Sequence, residues 1–251
     1  MPNFKLTIEY DGRNFSGWQI QTDGERTVQG ELKKALDRLS KKPVTVVGAG
    51  RTDSGVHALG QVAHAKLITT LSPTTLLKAL NANLPDDIAI LRVQKVPNEF
   101  HAQYYAKTKI YRYTILNRQS RSAKEKGFYY HIPKSLNIAL MKTESKALLG
   151  QHNFSAFTAI DSWNKKHHIE KNKIRTIKKI SFLSSNEFLN IDVEANGFLY
   201  KMVRNIIGTL IELGTGKRKK GDLKKILSSK LRRNAGPTAP AHGLCLLKVK
   251  Y

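Results

Sequence analysis

Phe4-Lys5-Leu6-Thr7-Ile8-Glu9-Tyr10 alternates apolar and polar side chains over seven residues and stops at Asp11-Gly12, the pattern of a half-buried strand running into a turn. Lys109-Ile110-Tyr111-Arg112-Tyr113-Thr114-Ile115-Leu116-Asn117 repeats the design later in the chain. After the first copy, Thr27 caps a helix through Leu39 with Val28, Leu32, Ala35, Leu36 and Leu39 at helical spacing. Val44–Val47 and Gln61–Leu67 read as strands. Ser72-Pro73 opens a helix carrying Leu76, Leu77 and Leu80, with proline where a missing amide hydrogen costs least. Asn81 to Pro85 ends it, and Ile88 to Val96 is a further strand. After the second copy come a helix over Ser135–Leu149, paired strands at Ile174–Leu183 and Phe188–Glu194, a helix over Leu199–Leu213 and a terminal strand at Leu244–Val249. The two halves follow one scheme. The chain is therefore expected to be α/β (α+β), with two similar lobes, 1–103 and 104–251, whose mainly antiparallel mixed sheets face a central cleft. Pro97–Lys107 is the expected crossing between them.

The chain has 251 residues, enough for a sizeable core. Lys and Arg number 43 against 19 Asp and Glu, for a formal net charge of +24, which points to a polyanionic partner such as RNA or DNA. The basic residues cluster in Ser162–Lys173, with His167 and His168, and in Lys217-Arg218-Lys219-Lys220 with Lys224, Lys225, Lys230, Arg232 and Arg233. The second cluster contains a single acid, Asp222, and reads as a phosphate-contacting rim or as a solvated surface. Ser120–Lys126 reads as another exposed insertion. One cysteine, Cys245, excludes an intramolecular disulfide and a cysteine-based metal site, and the eight histidines show no ligand spacing, so no metal is expected. No secretory signal opens the sequence and no apolar run approaches the ~20 residues of a membrane span. A cytoplasmic protein without a membrane is the expectation.

Gly48-Ala49-Gly50-Arg51-Thr52-Asp53-Ser54-Gly55-Val56-His57 follows a buried strand and holds one carboxylate among three glycines. Asp53 is a candidate reactive group held on a tight turn, or a turn carboxylate accepting backbone hydrogen bonds. Arg51 and His57 are its candidate helpers in binding substrate. The segment lacks the Gly-Lys-Ser or Gly-Lys-Thr ending of a phosphate-binding loop, and no dinucleotide fingerprint occurs, so no nucleotide cofactor is implied. Arg204 lies at the edge of the apolar face of its helix, beside Tyr200, Gly208 and Ile211, and needs a partner for its charge. Asp53 is the expected partner, and a structural ion pair elsewhere is the alternative. Gly208 would let another backbone or an RNA strand come close. Tyr111 shares one side of its strand with Tyr113 and Ile115, either as sheet core or as a ring stacking on an extruded base. Gly236 to Leu244 is a stiff loop entering a strand, with Leu244 a candidate pocket wall.

Gly50-Arg51-Thr52-Asp53-Ser54-Gly55-Val56-His57-Ala58, Phe15-Ser16-Gly17-Trp18-Gln19, Lys109–Tyr113, Phe198–Gly208 and Ala235–Leu244 together resemble the tRNA pseudouridine synthase A family, over essentially the whole chain. Ser54 stands where many relatives have alanine. The resemblance implies the pseudouridine synthase fold with an RNA-binding cleft, and conversion of uridines 38, 39 and 40 of the tRNA anticodon arm into pseudouridine. It further implies a homodimer that needs no metal, nucleotide cofactor or guide RNA. Asp53 matches the family's essential aspartate, Tyr111 its active-site tyrosine and Arg204 its carboxylate-pairing arginine. Arg51 matches the arginine that opens the helix and holds the flipped nucleotide. The chemistry admits two schemes, attack of Asp53 on C1′ or removal of the 2′ proton to form a glycal.

Overall fold

The computed structural model describes residues 1–21, 24–124, 126–159 and 172–251. The expected insertion at Ser162–Lys173 lies outside the described residues except for its last two, as does Glu125 of Ser120–Lys126. The chain forms two compact units, Met1–Lys109 with Cys245–Tyr251, and Ile110–Leu244.

In the first unit, β1 (Asn3–Tyr10) is the central strand of an antiparallel trio, paired with β3 (His57–Lys66) on one side and β4 (Ile88–Val96) on the other. A short β2 (Val46–Gly48) also pairs with β3. Leu6 lies opposite Ala63 and Val93, whereas Lys5 lies opposite His64 and Gln94. Alternate rows therefore point to opposite sides of the sheet. Phe4, Leu6 and Ile8 are buried, and α1 (Val28–Leu39) and α2 (Pro73–Asn83) add the fully buried Val28, Leu32, Leu36, Leu76 and Leu80. Both helices start as their sequences require. The Thr27 and Ser72 side chains accept from the Gly30 and Thr75 amides, and Pro73 occupies the first turn.

Two features depart from the expected division. The final strand, β10 (Leu244–Lys250), pairs in parallel with β3, Cys245 opposite His57 and Leu246 opposite Ala58, and from Cys245 onward it belongs to the first unit. Strand pairing is a non-local choice, and the alternation of this strand says nothing about its neighbour. Pro97–Lys107 likewise folds onto the first unit. The Asn3 amide donates to the carbonyls of Pro97 and Phe100, the Ala102 amide donates to His64 Nδ1, and the Tyr251 hydroxyl donates to the Ala102 carbonyl.

The second unit orders its strands β5 (Thr108–Leu116), β9 (Phe188–Ala195), β8 (Ile174–Ser185) and β7 (Gly150–Asn153), with β6 (Tyr130–His131) parallel to β5. The first two residues of β5 belong to the first unit. Arg112 on β5 grips Asp192 on β9 with two hydrogen bonds of 2.7 and 2.8 Å, the fork geometry that favours arginine over lysine. Among the described residues of this unit, three α-helices follow the strands in sequence or lie between them: α3 (Ile138–Ser145), α4 (Met202–Gly214) and α5 (Asp222–Ser229). α5 was not anticipated, because its lysines obscure Leu223, Ile226 and Leu227, which recur at helical spacing and are buried. The combination of α-helices with mainly antiparallel strand pairing and isolated parallel pairs is the α/β fold class expected.

Candidate active site

The Asp53 turn is held from three directions within the first unit. The buried Tyr10 hydroxyl bonds Thr52 Oγ1 at 2.8 Å, and Gln61 donates to the Gly50 carbonyl at 2.9 Å. Beside it runs the Phe15–Gln19 loop, where the Trp18 amide donates to the Thr52 carbonyl and the Phe15 carbonyl accepts from the Ser54 hydroxyl. Gly17 makes that approach possible. Its φ is +101°, and a Cβ there would stand 2.8 Å from the Thr52 carbonyl oxygen. The turn closes on itself through the Val56 amide and the Asp53 carbonyl at 3.2 Å. Arg26 secures the neighbouring loop, lying 4.2 Å from the Phe15 ring centre while two hydrogen bonds of 2.7 and 2.8 Å join it to Asp87.

On this support Arg51 is exposed and Asp53 half-buried. His57 differs. It is buried, its Nδ1 accepts from the Gly12 amide at 3.1 Å, and an Asp11 oxygen lies 3.2 Å from the same nitrogen. A nitrogen that accepts from an amide carries no proton, so the contact with Asp11 is not an ion pair in this geometry. The imidazole braces the turn. Burial pushes the Tyr10 hydroxyl well above the ordinary tyrosine range, against hydrogen bonds from Thr52 and Gln61, which keeps this support neutral at every physiological pH.

The second unit gathers Tyr111, Arg204, Gly208 and Leu244 around the loop that leads into β10. Tyr111 is buried and meets Phe198 edge to face at 5.1 Å. Two residues on, Tyr113 donates its hydroxyl to the Pro240 carbonyl at 2.9 Å. Arg204, half-buried on α4, brackets the preceding residue: its Nε donates to the Ala239 carbonyl at 2.7 Å and its own carbonyl accepts from the Ala239 amide at 3.1 Å. The guanidinium is thereby fixed at its base. One turn later Gly208 is buried under the same loop, because a Cβ there would fall 1.7 Å from the Pro237 oxygen. The close approach that the glycine permits is made by the chain's own backbone. Leu244 is buried at the start of β10.

Residue types alone did not single out what locks this loop. Arg232 donates to the Gly236 carbonyl at 2.9 Å and to Asn205 Oδ1 at 3.0 Å, and Thr238 donates to that same Asn205 oxygen at 2.6 Å. The buried Asn205 amide spans back to the Phe157 carbonyl at 2.7 Å. Burial lowers the Arg232 pKa from the ordinary arginine value without threatening its charge. Arg232 is therefore a strut rather than part of a basic rim, and Arg218 is paired with Glu212 at 2.6 Å. Lys217, Lys219, Lys220, Lys224, Lys230 and Arg233 remain exposed. One signal for the network was available: Asn205 and Thr209 are polar residues four apart on an otherwise apolar helix face. Thr238→Val keeps the side-chain shape and removes its donor and acceptor, leaving Arg232 and Asn205 to bond each other. It is expected to lower stability by about 1 kcal/mol, read as a shift in the urea midpoint.

Among the described residues, no three His, Cys, Asp or Glu side chains gather where they could hold a metal ion. No described helix is long and apolar enough to cross a membrane.

Comparison with known proteins gives the arrangement a family. The chain matches the model of the tRNA pseudouridine synthase family over residues 6–105 and 145–251. It is 44% identical over 251 residues to the tRNA pseudouridine synthase A of Thermoanaerobacter sp. (strain X514), with the whole of both chains covered. It is also 44% identical to that of Shouchella clausii, covering 100% of this chain and 94% of the other, and 42% identical to that of Bacillus licheniformis, covering 98% of each. A solved chain from the archaeal box H/ACA sRNP Nop10-Cbf5 complex is similar only distantly, at 12% identity and a TM-score of 0.34, over 92% of this chain and 59% of that one, and carries no weight here. With the family model matched across both units and relatives alike from end to end, the chain belongs to the tRNA pseudouridine synthase family of isomerases.

Proposed function

We propose that this enzyme isomerises uridines 38, 39 and 40 in the anticodon arm of tRNA to pseudouridine, with Asp53 as the group that meets the ribose. The observation that carries the reading is the construction of the Asp53 turn: a half-buried carboxylate on a backbone fixed by Tyr10, Gln61, Trp18 and Ser54. A rigid backbone under a reactive carboxylate favours precise attack. The reaction breaks the bond from N1 to C1′, turns the uracil, joins C5 to C1′ and releases the C5 proton while N1 gains one. Whether Asp53 attacks C1′ or takes the 2′ proton, the same carboxylate stands at the same sugar.

Arg204 supplies the guanidinium that the family pairs with this carboxylate, its base held by Ala239. Tyr111 presents its ring to the uracil, and Arg51 holds the displaced nucleotide. His57 serves by bracing the turn, and Gly208 and Leu244 by seating the loop that holds Arg204. The excess of basic residues supports a polyanionic substrate. The reading also takes from the family a homodimer in the cytoplasm, acting without guide RNA.

The test uses tRNA transcripts labelled with tritium at uridine C5 and the wild-type protein with nothing else added. Label is expected in solvent from the natural anticodon arm, and none beyond background when uridines 38 to 40 are replaced by cytidine. Equal release from both transcripts would overturn the positional assignment.

A further inference from the structure

One part of the first unit takes no part in the site above. The 100–105 segment lies by the sheet rows carrying Lys5, His64 and Gln94, tied down by bonds donated by Asn3 and Tyr251 and by the Ala102 amide's bond to His64 Nδ1. From this anchored base two large aromatics project, Tyr104 at 78% exposed and Tyr105 at 51%. Solvated tyrosines are ordinarily mobile, but Tyr104 is not left to itself. His101 stacks on it with ring centres 4.1 Å apart and planes 20° from parallel. The His101 ring is fixed in turn, since its Nδ1 accepts from the amides of Gln103 and Tyr104, both at 3.3 Å, and the His64 ring lies tilted by 57° against it with centres 4.8 Å apart.

The surroundings are cationic. Lys5 lies 5.7 Å from the Phe100 ring centre and 5.0 Å from that of Tyr251, and Lys66 is exposed two residues beyond His64 on the same side of β3. A pre-oriented ring with one face stacked and the rest open, set among lysines, is the chemistry that binds unpaired nucleotides: the ring takes the base and the cations take the phosphates.

We propose that the His101–Tyr104 stack is a docking platform for an unpaired base of the RNA substrate. That base is not the one that reacts. The platform is anchored at His64, and the Asp53 turn enters β3 at His57, seven residues away, roughly 23 Å at the rise of an extended strand. The platform therefore holds a different nucleotide and adds to affinity without touching the chemistry. This inference rests on the enzyme acting on RNA.

The test compares Tyr104→Ala, Tyr104→Phe and wild type for equilibrium binding of a tRNA transcript at fixed salt, for kcat and KM of tritium release, and for sedimentation without RNA. Tyr104→Ala is expected to raise Kd and KM about tenfold at unchanged kcat, while Tyr104→Phe, which keeps the ring, behaves as wild type. Wild-type affinity in Tyr104→Ala would overturn the proposal. So would equal losses in both variants, which would assign the effect to the hydroxyl, or altered sedimentation with unchanged Kd, which would assign the surface to a second copy. Should the wild-type protein bind tRNA but release no label, the catalytic reading fails and the binding comparison still decides this one.

Discussion

Asp53→Asn is expected to reduce tritium release from C5-labelled tRNA by at least about 1,000-fold while leaving the protein folded and able to bind RNA. The asparagine amide has the same shape as the carboxylate but can neither take a proton from the sugar nor form a stable bond at C1′, so both schemes lose their reacting group. Folding should survive, because the turn is held by its backbone and neighbours. Thr52 supplies both a carbonyl to Trp18 and a hydroxyl to Tyr10, Ser54 holds the Phe15 carbonyl, and the Asp53 carbonyl accepts from Val56, all without the Asp53 carboxylate. RNA affinity should survive as well, since one half-buried group contributes little beside an excess of 24 positive charges. The comparison needs thermal melting, filter binding and label release on one preparation. Activity within tenfold of wild type would remove Asp53 from the chemistry. Loss of binding in proportion to loss of activity would instead make it a substrate contact.

How far the sequence exposed this arrangement differs sharply between its parts. Local pattern was enough for β1, α1, α2 and β4, where alternation or helical spacing coincides with a capping residue or a turn, as at Thr27, Ser72 and Asp11-Gly12. The Asp53 turn was legible for the same reason: glycines at close spacing around a lone carboxylate are a local signature. What escaped was non-local. Nothing in Leu244–Lys250 states that it will lie beside His57, so the expected second lobe kept a strand that belongs to the first unit. Charge counting also misjudged Arg232 and Arg218. A guanidinium in a basic run looks alike whether it faces solvent or, as here, spans Gly236 and Asn205 or grips Glu212. Gly208 shows the same limit from the other side, since its smallness announced a close approach and left the approaching group unnamed.

Gly208→Ala is expected to destabilise the protein by about 3 kcal/mol and to cut the rate of isomerisation, and the sign of the stability change is itself informative. Gly208 sits in the interior of α4 with ordinary helical geometry, so on helix propensity alone alanine would stabilise by roughly 1 kcal/mol. The contact opposes that gain. A methyl group 1.7 Å from the Pro237 oxygen cannot be accommodated by rotating a side chain, because the neighbour is backbone. The loop must therefore withdraw from α4. As it moves, it strains the bonds from Arg232 to Gly236 and from Thr238 to Asn205, and it carries away the Ala239 carbonyl that fixes Arg204. A melting temperature lower by about 6–12 °C follows for a chain of this size. On the role proposed for Arg204, the kinetic change should fall mainly on kcat, because a displaced guanidinium would impair the reacting geometry more than RNA binding. A Gly208→Ala protein at least as stable as wild type would show that the loop does not rest on α4, and the support for Arg204 would have to come from elsewhere.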